Sequence, residues 1–393
     1  MEWMVTENRL GQEQTLILNQ CVKSSNTCNW IQGFAGSGKT VLLIHAMELL
    51  RVAHPDQTLC FVTFTHALKD LVSTGLSDKS KHLPILTVDQ FIRNQKHFDI
   101  VFADEIQDLP NHKLAQLKAH SGRLVVAGDI DQSIYDAGVS AEEIEDLLTP
   151  VSHKLTVLYR LTHTLQALAR ALLPSTSIAG AKINRQQDTD IVLARASNAR
   201  EEVGWVIDRA ISMARSGGPA LIILPKQEDI FEFIEVMADV KGVAAPEKSY
   251  REVSYGKNRS SKSRKIDWDV INQELTESGL PIRYLGSGSG GLLESDQMPL
   301  IYIMTYHSAK GLDFLHVFLP RMNSSVQLWR DDLGLERRLF FVGVTRSRQN
   351  LFITYSSKEP HYLVSELPQK LMKLVDCKKI HEAVKNNDEE HLF

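Results

Sequence analysis

No stretch of this sequence approaches the roughly 20 consecutive apolar residues that cross a bilayer, so a membrane role is not expected. The opening residues, MEWMVTENRL, have neither the basic start nor the apolar run of a secretory signal. Cysteine is scarce. The four present, Cys21, Cys28, Cys60 and Cys377, are scattered, with no Cys-x-x-Cys pair and no histidines at metal-binding spacing. A disulfide framework or a structural zinc is therefore not expected, and a reducing, cytoplasmic setting is the simpler reading. Basic charge is not in excess either: 44 Lys and Arg against 48 Asp and Glu leave a formal charge of −4. A polyanionic partner would have to be met by a local patch rather than by bulk charge. What remains is ordinary globular material, 43% hydrophobic and 23% charged over 393 residues, enough for two or three domains with their own cores.

Short β-rich apolar runs alternate with longer amphipathic stretches. Strands are expected at 29–32, 59–65, 100–104, 124–128 and 155–158, with helices such as 41–53 and 66–73 between them. A second series follows, with strands at 191–194, 221–224, 282–285, 300–305, 317–319 and 351–355 and helices at 200–214, 229–240 and 335–344. Such alternation predicts α/β units with parallel sheets and helices on both faces. One segment breaks the pattern. Residues 241–265, with SYGKNRSSKSRK at their centre, are rich in Lys, Arg and Ser and read either as a solvated loop or as a basic arm following a phosphate backbone.

The strongest motif is GFAGSGKT, Gly33 to Thr40, directly after an apolar strand and directly before a helix. It has the P-loop spacing in the context that motif requires. Gly33, Gly36 and Gly38, with Ser37, let backbone N–H groups turn inward around phosphate oxygens, and the helix start adds its positive dipole end. Lys39 is expected to reach the β- and γ-phosphates of ATP, and Thr40 to ligate Mg²⁺. FADEIQD then delivers two carboxylates at a strand end: Asp104 as the metal-side acid and Glu105 as the base that polarises the attacking water.

Gln107 and Asp108 follow that pair, and AGDIDQSIY, Ala127 to Tyr135, follows in turn. Together these resemble motifs II and III of the UvrD/Rep group of superfamily 1 helicases, and the rest of that family's ordered set can be found. LGQEQ resembles the Q motif and implies Gln14 as the reader of the adenine edge. FVTFTHALKDL resembles motif Ia and puts Phe64, Thr65 and His66 on the nucleic-acid side. TVDQF resembles a strand-touching element beginning at Thr87. In motif III, Gln132 would sense the γ-phosphate and Tyr135 would offer a stacking face. LYR resembles motif IV, with Tyr159 on the adenine and Arg160 on the γ-phosphate. TYHSAKGLDF resembles motif V, with Gly311 and Asp313 near the nucleotide and Thr305 and His307 facing the strand. RLFFVGVTRSRQNLFI resembles motif VI and makes Arg346 the arginine finger.

The resemblance implies two tandem RecA-like domains with the ATP site in the cleft between them. The expected division is 1–158, 159–375 with the basic insertion near 241–265, and a tail at 376–393. On that division Arg160 and Arg346 both come from the second core, so hydrolysis is fast only with the cleft closed. The resemblance implies an ATP hydrolase of helicase type: a translocase stimulated by single-stranded DNA, moving 3′ to 5′, able to engage a duplex with a 3′ overhang. A DNA-repair role and an antiviral-defence role are both compatible with it. Two departures are visible. Too few residues separate FVTFTHALKDL from FADEIQD to hold the family's first accessory domain, and motif III reads Asp136-Ala137-Gly138 where the family carries an aromatic. A motor stripped in this way motivates an alternative, a nucleotide-gated regulatory subunit that loads or switches a protein partner such as a nuclease.

Overall fold

The structure is a computed structural model. It describes residues 3–130, 134, 138–174, 181–184, 187–255, 261–286, 288–291, 301–330 and 332–378. Two compact units divide between Asp188 and Thr189, and each is described by itself. Among the described residues no helix is long and apolar enough to cross a membrane.

In the first unit, helix α1 (Gln12–Lys23) precedes β1 (Cys28–Gly33), whose fully buried Cys28–Ile31 run belongs to a strand covered on both faces. Helix α2 (Lys39–Ala53), β2 (Leu59–Thr63), α3 (His66–Gly75), β3 (Ile85–Thr87), α4 (Val88–Asn94), β4 (Phe98–Ala103), α5 (Asn111–Ala119), β5 (Ser121–Gly128), α6 (Ala141–Leu148) and β6 (Val151–Leu155) follow. The six strands form one sheet in the order β3-β2-β4-β5-β1-β6, every neighbouring pair parallel. Leu42, Ile44, Phe61, Phe102 and Val125 pack one face; Trp30, Val62, Phe91, Val101 and Leu114 pack the other. The order puts the C-terminal ends of β1, β5 and β4 side by side, and ligands of open α/β sheets bind beyond such ends.

The first unit continues past the expected boundary at 158. A short strand β7 (Val157–Leu158) pairs with β8 (Lys182–Ile183) around α7 (His163–Leu172). The Glu13 carboxylate accepts from the Thr156 and Val157 backbone N–H groups and from the Thr156 hydroxyl. The Tyr159 N–H donates to the Gly36 carbonyl at 2.9 Å. Tyr159 and Arg160 therefore belong to the first unit and not, as expected, to the second. Local apolar pattern could not show this, because the bonds that hold the segment are long-range and polar.

The second unit contains β9 (Asp190–Arg195), α8 (Ala199–Gly217), β10 (Ala220–Leu224), α9 (Gln227–Lys241), β11 (Tyr250–Tyr255), β12 (Ser261–Ile266), α10 (Trp268–Glu277), β13 (Ile282–Tyr284), β14 (Ile301–Thr305), α11 (Tyr306–Ala309), β15 (Phe314–Leu319), α12 (Leu333–Val344), β16 (Ser347–Tyr355), α13 (Tyr362–Ser365) and β17 (Lys373–Asp376). Its sheet runs β13-β14-β10-β15-β16-β9-β17, again all parallel. Two expectations change here. Much of the Lys/Ser-rich stretch forms an antiparallel hairpin, β11 with β12, fixed at its base by the Arg251–Asp269 ion pair and by the Arg264 guanidinium over the Tyr250 ring. The segment expected to begin a tail at 376 instead completes the core: β17 pairs with β9, and Cys377 is fully buried.

Candidate nucleotide and nucleic-acid sites

Strand β1 ends at Gly33, and the loop that follows closes on itself through Ser37 N–H donating to the Phe34 carbonyl at 3.2 Å. Gly36 stands at φ 77°, and a Cβ there would come within 2.4 Å of the Arg160 Cβ, so only glycine fits. Lys39 opens α2, and its ammonium donates to the Gly33 and Phe34 carbonyls at 2.7 and 3.1 Å. The Ser37 hydroxyl is buried with no hydrogen-bond partner among the described residues. A cradle with a lysine at its mouth and a spare buried hydroxyl fits a phosphate chain.

Asp104 follows the end of β4. Its carboxylate accepts from the Thr40 hydroxyl at 2.6 Å and from the Glu105 N–H at 2.9 Å. Burial, and then the neighbouring Glu105 carboxylate, push the Asp104 carboxyl up to about 6. Negative charge crowded in this way fits a divalent cation, which Thr40 and Asp104 would hold. Among the described residues no group of three or more His, Cys, Asp or Glu could cage a metal ion, so such an ion would take its remaining ligands from water and phosphate. Glu105 adopts φ 56°, a left-handed conformation rare for a residue with a side chain. It accepts a hydrogen bond from the Gln107 amide at 2.5 Å.

Gln14 does not project freely. Its amide donates to the Ser37 carbonyl at 2.9 Å and its oxygen accepts from the Gly11 N–H at 3.0 Å, which joins α1 to the phosphate loop. The Tyr159 ring lies against Gly11, where a Cβ would meet its hydroxyl. The structure thus brings Gln14, the P-loop residues, Asp104, Glu105, Tyr159 and Arg160 into one unit.

On the expected strand side of that unit, Phe64 is half-buried and His66 exposed. Thr65 and Thr87 spend their hydroxyls as helix caps, accepting from Leu68 N–H and Gln90 N–H. Thr63 and Thr87 are register partners, so α3 and α4 leave neighbouring strands at the same level. Gln132 and Tyr135 lie outside the described residues.

In the second unit Thr305 caps α11 by accepting from Ser308 N–H. The His307 ring packs on the half-buried Trp329, centroids 5.2 Å apart. Gly311 takes φ 82°, and Asp313 is paired with Arg348. Arg346 is 1% exposed and donates to the Val342 and Leu312 carbonyls and to the Thr345 hydroxyl. In this arrangement its guanidinium ties the turn after Gly311 to the end of α12.

Two family models match the chain: the AAA domain over residues 14–138 and the UvrD-like helicase C-terminal domain over residues 271–358. Over these segments the chain is UvrD/Rep-like, of the superfamily 1 helicase kind. Among curated UvrD/Rep-like relatives, the ATP-dependent DNA helicase Rep of Buchnera aphidicola subsp. Schizaphis graminum is 40% identical over 67 residues, 16% of this chain and 10% of the relative. DNA helicase II of Escherichia coli K12 is 38% identical over 91 residues, 19% of this chain and 13% of the relative. The matches therefore span only a small part of those longer proteins. Among solved structures, Arterivirus nonstructural protein 10 (helicase) in complex with DNA aligns with a TM-score of 0.43 at 15% identity, covering 89% of this chain and 64% of that one.

Three residues escaped the UvrD/Rep-like reading of the sequence. Glu13 and Gln107 sit inside quoted motifs, yet their partners, Thr156–Val157 and Asp129, are visible only once the strands are ordered. Trp329 had a weaker signal, a lone aromatic beside Arg330 in a polar stretch.

Proposed function

We propose that the chain is an ATP-driven motor on single-stranded DNA, translocating 3′ to 5′. The observation that carries this reading is the Thr40–Asp104–Glu105 cluster beside the P-loop in a UvrD/Rep-like chain. In the proposed mechanism the P-loop N–H groups, Ser37 and Lys39 hold the β- and γ-phosphates, while Gln14 and Tyr159 take the adenine end. Mg²⁺, held by Thr40 and Asp104, would supply charge neutralisation between phosphate oxygens. Glu105 orients the attacking water and accepts its proton. Arg160 meets the γ-phosphate from within the same unit. Arg346 acts as the finger by exchanging its carbonyl partners for the γ-phosphate, a contact typically worth about 10³–10⁵ in rate. Gly311 and Asp313 border the nucleotide in this reading.

The strand side is assigned to Phe64, Thr65, His66, Thr87, Gln132, Tyr135, Thr305 and His307. Trp329, tilted against His307, offers the second unit an aromatic platform beside the departure of motif III at Asp136-Ala137-Gly138, and base stacking on such a ring is worth about 1–3 kcal/mol.

Steady-state ATP hydrolysis with and without single-stranded DNA, beside Lys39→Ala as the blank, tests the proposal. Strong stimulation is expected. ATP binding without stimulation would replace the motor by the nucleotide-gated switch, a reading favoured by one observation: only β3 and α4 lie between α3 and β4, where the family's first accessory domain is missing.

A further inference from the structure

We infer that Gln107 is a positioning residue that sets Glu105 for hydrolysis and ties it to the backbone entering the AGDIDQSIY segment. The inference rests on Glu105 being the base of the proposed motor.

Gln107 is completely buried in the single turn that follows β4. The partners of its side-chain amide include two of opposite kind. The N–H donates to the Glu105 carboxylate at 2.5 Å, and the oxygen accepts from the Asp129 N–H at 3.1 Å. A primary amide can do both, whereas a carboxylate has nothing to donate and an ammonium nothing to accept. The two partners also fix which way round the amide sits.

Strand order explains why the link exists. Glu105 follows β4 by two residues, Asp129 directly follows β5, and the two strands are parallel neighbours. Gly128 lets them close. A Cβ there would come within 2.6 Å of the Gln107 oxygen and 3.2 Å of the Ile106 side chain. The Glu105 side of the link is equally constrained, because its backbone is held at φ 56°. A small displacement of the chain at Asp129 therefore changes the hydrogen bond to Gln107. The amide must then turn, and its N–H moves relative to the Glu105 carboxylate. Asp129 leads directly into Gln132 and Tyr135, the residues assigned to the γ-phosphate and the strand. A strand seated on that segment is in this way connected to the base by one side chain.

The test uses the full chain as wild type, Gln107→Leu, Gln107→Glu and Gly128→Ala. Affinity for a non-hydrolysable ATP analogue, strand-free turnover and strand-stimulated turnover are measured for each. Gln107→Leu should keep nucleotide affinity and KM within about twofold of wild type while kcat falls, the signature of a lost transition-state arrangement. Its ratio of stimulated to strand-free turnover should drop towards one. Gln107→Glu, which sets a second carboxylate against Glu105, should be slower still. Gly128→Ala pushes the same amide from the other side and should lose stimulation with Gln107 itself intact. A Gln107→Leu protein that keeps the wild-type stimulation ratio overturns the inference, whether its turnover is normal or uniformly reduced. An unstimulated wild type sinks the motor reading and this coupling with it, whereas failure seen only in the variants sinks the coupling alone.

Discussion

Glu105 occupies a backbone conformation that costs a residue with a side chain about 1–3 kcal/mol, and such outliers persist only where surroundings over-determine them. Here the surroundings are Asp104, Gln107 and the turn after β4. In the proposed mechanism Glu105→Gln removes the proton acceptor and little else. We expect ATP binding to persist and turnover to fall by at least about 10², measured by equilibrium nucleotide binding beside single-turnover hydrolysis. Near-normal turnover would remove Glu105 from the role. Glu13 makes a different prediction. Its carboxylate fixes the segment leading to Tyr159 and Arg160, so Glu13→Ala should raise KM for ATP more than it lowers kcat. An unchanged KM would mean that Tyr159 is positioned without this clamp. Lys39, Thr40, Asp104 and Glu105 were legible in the sequence because phosphate and metal chemistry demand fixed residue types at fixed spacing. Glu13 and Gln107 were not, since nothing local marks a side chain whose partner lies on a distant or neighbouring strand.

At the scale of elements, apolar runs predicted the long strands well, and strand β4 with its two terminal acids was found within two residues at its start. Among the strands that were missed, β3, the β11–β12 pair and β17 escaped for separate reasons. β3 is three residues long, too short to show a period. The β11–β12 hairpin sets YREVSY against SKSRKI, and with β12 almost wholly Lys, Arg and Ser its pairing is carried by backbone hydrogen bonds rather than by apolar alternation. β17 is exposed at the sheet edge, Leu374 included, and offers little buried pattern. The hairpin carries a prediction of its own. If this basic segment tracks a phosphate backbone, neutralising Lys262 and Arg264 together with Lys257 and Arg259, which lie outside the described residues, should weaken strand binding and flatten its salt dependence. Each lost phosphate contact removes about 0.7 from the slope of log affinity against log salt on single strands. Identical slopes for variant and wild type across a salt series would return the hairpin to a solvated ornament.

For the molecule as a whole, the decisive correction is the boundary. With Tyr159 and Arg160 in the first unit, every described residue assigned to the adenine, the phosphates and Mg²⁺, other than Gly311, Asp313 and Arg346, lies within 1–188. A fragment of residues 1–188 should therefore bind ATP with an affinity near that of the full chain, while its hydrolysis stays slow and indifferent to DNA. Titration calorimetry beside a turnover assay would check both halves. Rapid, DNA-stimulated hydrolysis by the fragment would show that Arg346 and the second unit are dispensable to the chemistry.

The pairing of β17 with β9 also has a bearing on how the protein is born. β9 opens the second sheet at Asp190, yet its outer neighbour is Lys373–Asp376, so this sheet cannot close until nearly the whole second unit has left the ribosome. The first unit has no such wait: its sheet is finished at Leu155 and its clamp at Val157. During synthesis, which proceeds from the N-terminus at about 5–20 residues per second, a nascent chain should hold a folded, ATP-competent first unit for roughly 10–40 seconds before the second sheet is complete. ATP in the cell would then act as a folding ligand for the half-made protein, stabilising the part that is ready while the rest is still being translated.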